Sequence, residues 1–260
     1  MSLSAVLIAR NEAHRIARCL ESIRWADEIV VVVNSDTTDD TEAVARRYTD
    51  RVFRRGFTGF SDQRQWADDQ ATSEWVLSVD CDEVVPSVLS EEIRAELAAP
   101  RFDAYEVPHL DYMFGKWIRH GGWYPQLHIR VYRRAHARWD RDVHERVKVE
   151  GTMGRLRNPI HHFSHTRVED WVGKMSRYTT LEAQAMHRRG VRMNLARLLF
   201  EPPLYAGYKL FVQQGWRDGL HGLVLALLLG TYRMMRNLKL WDLWQSADRP
   251  KERDDCPPSM

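Results

Sequence analysis

The N-terminal third of the chain alternates short apolar runs with amphipathic stretches, and that alternation admits few folds. Leu3-Ser-Ala-Val-Leu-Ile-Ala9 has the length and apolar content of a buried strand. Asn11 and Glu12 turn into a helix reaching about Arg24, with Ile16, Leu20 and Ile23 on one face. Glu28-Ile-Val-Val-Val-Val33 is a continuous apolar strand of the kind buried on both faces of a parallel sheet. Asp39-Asp-Thr-Glu42 fits a capping box and predicts a helix through about Tyr48. A short strand at residues 51–53, a helix at 61–71 and a strand at 75–79 complete a β-α-β-α-β-α-β order. Such an order predicts an open, mainly parallel sheet flanked by helices.

The last of these strands ends in Asp80-Cys81-Asp82-Glu83. Two carboxylates one residue apart bring acceptor-only oxygens to the C-terminal edge of the sheet, where ligands bind in open α/β folds. Such oxygens suit a hard divalent cation that also takes phosphate ligands. An isolated Asp-x-Asp is otherwise a solvated loop start; the strand pattern upstream favours the ligand reading.

With 260 residues, the chain has room for one ordinary domain and an appendage. Lys plus Arg (38) nearly balance Asp plus Glu (36), which speaks against bulk nucleic-acid binding. Cys19, Cys81 and Cys256 are too scattered for a disulfide framework or a zinc pattern, and point to a reducing compartment. No basic stretch precedes the first apolar run, so no signal peptide is expected.

Beyond Asp82, a helix is expected from Pro86-Ser87 to about Leu97, and strands at 104–109 and 127–133. The Gly- and aromatic-rich stretch 114–125 between those strands is either a functional loop or a plug over the sheet edge. Thr166-Arg-Val-Glu169 reads as a capping box opening a long helix. On that helix Val168, Trp171, Val172, Met175 and Tyr178 form a stripe expected to face the core. From Leu195 the chain is strongly apolar, punctuated by Lys209, Arg217, Arg233, Arg236 and Lys239 and by Trp216, Trp241 and Trp244. Its longest nearly uncharged stretch, 219–232, is shorter than the ~20 residues of a spanning helix. A basic, Trp-flanked amphipathic segment reads as lying in a membrane interface; a helical dimer interface or a cap on the core is the alternative. The polar, Pro-containing end from Ser246 is expected to be disordered.

Six segments in order carry a resemblance: Val6-Leu-Ile-Ala-Arg-Asn-Glu12, residues 26–35, Gly59-Phe-Ser-Asp-Gln-Arg64, residues 75–83, His120-Gly-Gly-Trp-Tyr-Pro125 and Val143-His-Glu-Arg-Val147. Together with His162-Phe-Ser164 and the helix bearing Arg177 and Tyr178, they resemble family-two glycosyltransferases with a GT-A fold. The similarity spans roughly residues 3–245 and is closest to the bacterial branch holding lipopolysaccharide inner-core β-glucosyltransferases. It implies a GT-A (nucleotide-diphospho-sugar transferase) domain over 1–165, a helical, membrane-associating region over 166–245 and a tail at 246–260.

The resemblance also implies an activity: inverting, metal-dependent transfer of a hexose, glucose by the branch, from a UDP-type nucleotide sugar to a membrane glycolipid. The acceptor would be a lipopolysaccharide core or a polyprenyl-linked sugar, reached from the cytoplasmic face of the inner membrane. Asp82 and His162 would ligate Mg²⁺ or Mn²⁺, and Asp80 would face the ribose or a metal-bound water. His161 and His165 read as loop histidines; three His without Cys are a poor zinc set. Ala9, Asn11 and Glu12 match the first nucleotide contact; Glu12 is equally placed to satisfy a helix dipole. Asn34 stands where the family has a uracil-binding Asp, and an amide can still pair with a pyrimidine edge. Gln63 and Arg64 match the segment that approaches the diphosphate, though a lone Arg is commonly just solvated.

Glu145 is the candidate base and Asp142 the second choice; read as residues alone, Glu145 is equally a surface partner of Arg141 or Arg146. Trp123, Tyr124 and Gln126 form the matching acceptor loop, with Gln126 where the branch often carries Asp. Direct displacement needs no nucleophilic Ser or Cys, which leaves Cys81 a packing residue. A catalytically degenerate membrane scaffold and a sugar nucleotidyltransferase are the competing readings. The first is kept open by Asn34 and Gln126; the second lacks its Gly-rich loop after the first strand.

Overall fold

The computed structural model describes residues 1–140, 147–165 and 167–248. In chain order the elements are β1 (Leu3–Ala9), α1 (Ile16–Ser22), β2 (Glu28–Asn34), α2 (Thr41–Ala45), β3 (Val52–Arg55), α3 (Phe60–Gln70) and β4 (Trp75–Ser78). There follow β5 (Glu83–Val84), α4 (Ser87–Ala98), β6 (Ala104–Met113), β7 (Lys116–Trp117), β8 (Gln126–Arg133), β9 (Ala137–Trp139), β10 (Val147–Val149), β11 (Met153–Arg155) and β12 (Ile160–His165). The helices α5 (Val168–Arg188), α6 (Leu195–Gly207) and α7 (Leu220–Asp248) close the series.

Two compact units emerge: residues 1–112 with 124–164, and residues 113–123 with the chain from 165 onward. The first holds the sheet, ordered β3-β2-β1-β4-β8-β6-β12-β5. β1 pairs in parallel with β2 and β4, and β2 with β3, as the alternation predicts. Beyond β4 the sheet is mixed: β4 pairs antiparallel with β8 and β8 with β6, while the short β11 runs parallel to β6. β2 lies between two neighbours and under helices on both faces, so Val30 to Val33 are all fully buried and strict alternation is not needed. Ile16, Leu20 and Ile23 pack below this sheet with Leu7, Trp75 and Leu77. The opposite face is covered by α3 through Ala67 and Ala71 against Val30, Val32 and Tyr132.

The capping box expected at Asp39 does not form. Asp40 occupies the cap position without a side-chain bond. The Asp39 carboxylate instead accepts the Ala13 and Thr41 amides, both at 3.0 Å, tying α2 to the turn after β1. Glu42 pairs outward with Arg46 and Arg54. On α3, Asp68 is 4% exposed and its Oδ2 accepts from Tyr132 Oη and Trp139 Nε1, each at 2.8 Å. Burial pushes this carboxyl up to about 6, against the pull of those two donors.

In the second unit, α5 buries Trp171, Met175, Thr179 and Ala183, one residue per turn. Val168, Val172 and Tyr178 of the expected core stripe lie exposed, because the buried face follows the four-residue spacing from Trp171 and those three sit off it. Thr166, the first residue of the expected capping box, lies outside the described residues; Arg167 holds the cap position without a side-chain bond. α6 contains Pro202 and Pro203 and continues into a π-helical turn, Tyr208–Val212. The entry to α7 is tight: a Cβ on Gly222 would lie 1.8 Å from the Gly215 carbonyl oxygen, so only glycine fits there. Among the described residues, no helix is long and apolar enough to cross a membrane.

Candidate active site

β4 ends at Ser78, and the chain turns through Asp80 to Glu83 with the Glu83 amide donating to the Asp80 carbonyl at 2.9 Å. The two-residue strand β5 then pairs antiparallel with β12, aligning Glu83 with His162. The Phe163 amide donates to the Asp82 carbonyl at 2.8 Å. This pairing brings the two predicted cation ligands together: His162 Nε2 stands 3.6 Å from Asp82 Oδ2. The other imidazole nitrogen, Nδ1, is 2.6 Å from Asp111 Oδ1 on β6. A carboxylate behind a histidine fixes the ring and its tautomer, the arrangement found behind metal-binding imidazoles.

Asp80 is not aimed at open space. Its Oδ1 accepts from Arg64 Nη2 at 2.5 Å and its Oδ2 from Arg130 Nη2 at 2.9 Å. Burial opposes the Asp80 charge, but these two guanidinium groups hold the carboxyl well below the usual carboxylate range. Arg130 also bonds Glu83, whose carboxylate takes the Asp80 amide at 2.9 Å. Glu83 is pushed up by burial, to about 7, despite Arg130. Burial likewise works against Asp82, while His162 and then Arg15, 3.5 Å away, bring its carboxyl below the ordinary value. For His162 burial disfavours the charged ring, but the bonds to Asp111 and Asp82 outweigh it and raise the imidazole to about 10.

His109, Asp111 and His162 each offer a ligand atom, all within 4.8 Å of one another. Burial keeps the His109 ring in the neutral form a cation needs, but its Nε2 already accepts from Arg130 Nε at 3.3 Å, so that lone pair is spent. Asp82 and His162 therefore remain the pair best placed for a cation, with Asp111 behind them. Asp111 Oδ2 is buried without a hydrogen-bond partner among the described residues, an unspent acceptor that fits a site completed by a positive group.

The residues expected to contact a nucleotide also gather at this sheet edge. Asn34 ends β2 and its Oδ1 accepts from Gln63 Nε2 at 2.9 Å, both residues buried. Ala9 ends β1 opposite Val33. Asn11 takes a left-handed backbone (φ 54°), and its Oδ1 accepts the Thr38 amide at 2.9 Å. Glu12 is turned to Arg15, bonding Nη2 at 2.7 Å, and its amide donates to Thr41 Oγ1 at 2.7 Å. Cys81 is buried with its thiol 3.3 Å from the Ile8 carbonyl, and burial pushes that thiol well above the usual range, as befits packing. Glu145 and Asp142 lie outside the described residues. Of the acceptor loop, Trp123 belongs to the second unit, edge-on to Trp171 at 6.3 Å; Tyr124 and Gln126 belong to the first, and Gln126 opens β8 opposite His109.

His109, Asp111, Arg130 and Arg15 escaped the sequence reading, which named Glu83 at the strand end without giving it a role. One signal was present: His109 and Asp111, and likewise His128 and Arg130, are polar residues two apart in strands, hence on one face.

The family model for Glycosyl transferase family 2 matches residues 4–159. The lipopolysaccharide core biosynthesis glycosyltransferase LpsC of Rhizobium meliloti is 29% identical over 264 residues, covering 98% of this chain and 97% of its own length. An uncharacterized glycosyltransferase of Rickettsia felis is 27% identical over 255 residues, with 92% and 89% coverage. Among solved structures, S. aureus TarS 1-349 in complex with UDP aligns over 95% of this chain and 92% of its own, at 15% identity and a TM-score of 0.48.

Proposed function

The chain belongs to glycosyl transferase family 2, and from that membership we propose that it transfers a hexose, with inversion, from a UDP-sugar to a membrane glycolipid, assisted by a divalent cation. The observation that carries this reading is the 3.6 Å approach of His162 Nε2 to Asp82 Oδ2 at the C-terminal edge of the parallel strands. Bound there, Mg²⁺ or Mn²⁺ would neutralise the departing diphosphate. Asp111 keeps the His162 ring aimed at Asp82. Arg130 and Arg64 lock the turn that presents Asp82 by clamping Asp80. Asn34 spends its carbonyl on Gln63 and keeps its NH₂ for the edge of a base.

The acceptor hydroxyl oxygen then bonds to the anomeric carbon as the bond to the diphosphate oxygen breaks from the opposite face. The leaving nucleotide takes the electron pair, and Glu145 takes the hydroxyl proton. The likeness to LpsC, a lipopolysaccharide core biosynthesis glycosyltransferase, supports a lipopolysaccharide-core acceptor, and the branch resemblance supports glucose as the hexose.

The second unit supports work at a membrane surface. Leu220, Leu223, Leu227, Met234, Leu238 and Trp241 are exposed along α7 at intervals of three, four and seven, one face of the helix. Arg188, Arg189 and Arg192, at the end of α5 and in the segment that follows it, are exposed as well, and exposed basic and apolar side chains together suit binding to an anionic leaflet without crossing it. On this reading the enzyme works at the cytoplasmic face of the inner membrane, where nucleotide sugars are available.

The test is a panel of UDP- and GDP-hexoses incubated with the full chain, membrane glycolipid, and Mn²⁺ or chelator, with the product anomer read by NMR. Metal-dependent consumption of one UDP-hexose giving the inverted anomer is expected. Equal turnover in excess chelator, or a retained anomer, contradicts the reading.

A further inference from the structure

The helical unit holds a half-open cavity of about 210 Å³. Its walls are rings: Trp171 and Tyr178 from α5, Tyr205 from α6 and Tyr232 from α7, with Met175 and Leu229 adding aliphatic surface. Three charged side chains share the lining, Lys174, Glu182 and Arg233.

The charges do not cancel. Glu182 is already committed: its Oε2 accepts from Tyr232 Oη at 2.9 Å and its Oε1 from Arg236 Nη1 at 3.0 Å. Arg236 also bonds Glu201 at 2.5 Å, and Asn237 Nδ2 donates to the same carboxylate at 3.0 Å. Arg233 lies over the Tyr205 ring at 4.2 Å, with Glu201 3.6 Å and Glu182 3.9 Å away. The two carboxylates thus face three guanidinium groups, since Arg197 also stands 3.9 Å from Glu201, and Arg233, which lines the cavity, is held more loosely than Arg236. Lys174 is left over: it is half-buried and forms no ion pair among the described residues. A half-buried ammonium beside aromatic walls attracts an anion, and the rings and aliphatic side chains attract an apolar body.

We infer that this cavity binds a single phosphorylated amphiphile, its phosphate on Lys174 and Arg233 and its apolar part against Met175, Leu229 and the tyrosine rings. The inference rests on the proposed glycolipid acceptor for its biological sense, since such an acceptor must be held by both its polar and its lipid portions. It differs from the exposed stripe of α7, which suits a surface and not one molecule.

The experiment is calorimetric titration of the full chain, below the micelle concentration, with n-decyl phosphate, n-decyl glucoside and inorganic phosphate. Wild type should bind one n-decyl phosphate, and the neutral glucoside and free phosphate each at least about tenfold more weakly. Lys174→Glu, at a half-exposed position that leaves the fold intact, should lose about tenfold in affinity for n-decyl phosphate, and Lys174→Arg should restore it. Leu229→Phe, which narrows the cavity, should weaken the alkyl compounds more than inorganic phosphate. No saturable binding by wild type, equal affinity for the glucoside or for free phosphate, or no effect of Lys174→Glu overturns the inference. Sugar-nucleotide turnover on a soluble acceptor fragment is measured alongside. Its loss in wild type would defeat the proposed activity, whereas failure of n-decyl phosphate alone defeats only the pocket.

Discussion

Replacing Asp68 by Asn should strengthen the fold at neutral pH and much less in mild acid. Asp68 holds a carboxyl with an ordinary value of 3.8 that burial pushes up to about 6, even though Tyr132 and Trp139 donate to it. Below 3.8 both folded and unfolded chains carry the proton, and the shift has no effect on stability. As pH rises the unfolded chain releases its proton first, so stability falls until the folded carboxyl also ionises near 6, and is level above that. At 1.36 kcal/mol per pH unit the full loss is roughly 3 kcal/mol, about 1 of which has already appeared by pH 4.5. Asn keeps an oxygen to accept from Tyr132 and Trp139 but does not titrate. Whatever new contacts the amide makes are independent of pH, so the change between two pH values isolates the carboxylate. Urea unfolding at pH 4.5 and 7.5, followed by tryptophan emission, should show the variant gaining about 2 kcal/mol on wild type between the two conditions. A difference that stays constant, or moves toward wild type as pH rises, refutes the account of Asp68.

Glu145→Gln should lower transfer by ~10²–10⁴-fold while UDP affinity stays near wild type; if Asp142→Asn carries the loss instead, the base is Asp142. Arg130→Met leaves Glu83 buried without its cation, and denaturant titration should show a loss of about 3–5 kcal/mol; under 1 kcal/mol would mean the clamp on Asp80 and Glu83 is dispensable. Gly222→Ala must push the Gly215 carbonyl aside from 1.8 Å, so about 1–3 kcal/mol of destabilisation and weaker flotation with anionic vesicles are expected; unchanged stability contradicts the tight entry to α7.

The parallel half of the sheet was legible because its information is local. The apolar run Glu28 to Val33 specifies a doubly covered strand whatever surrounds it, and the helix bearing Ile16 and Leu20 declares its buried face by spacing. Asp80 and Asp82 were legible for the same reason, as the end of such a strand. What reaches them was not. Arg130, His109 and Asp111 arrive through pairings of β6, β8 and β12 that no short window contains. The Asp39 error has the same origin: a carboxylate three residues ahead of Glu42 suits a capping box, but the Ala13 amide, 26 positions away, claimed it. The stripe on α5 failed by angle, since Val168, Val172 and Tyr178 lie beside the Trp171–Met175 line.

The most direct test of the central claim is Mn²⁺ titration by electron paramagnetic resonance, with UDP present, on wild type and on Asp82→Asn and His162→Gln. The account predicts one tight Mn²⁺ per wild-type chain and a loss of that site in both variants, with circular dichroism unchanged. Mn²⁺ bound equally well by a folded Asp82→Asn protein, or no UDP-dependent Mn²⁺ site in wild type, would contradict it.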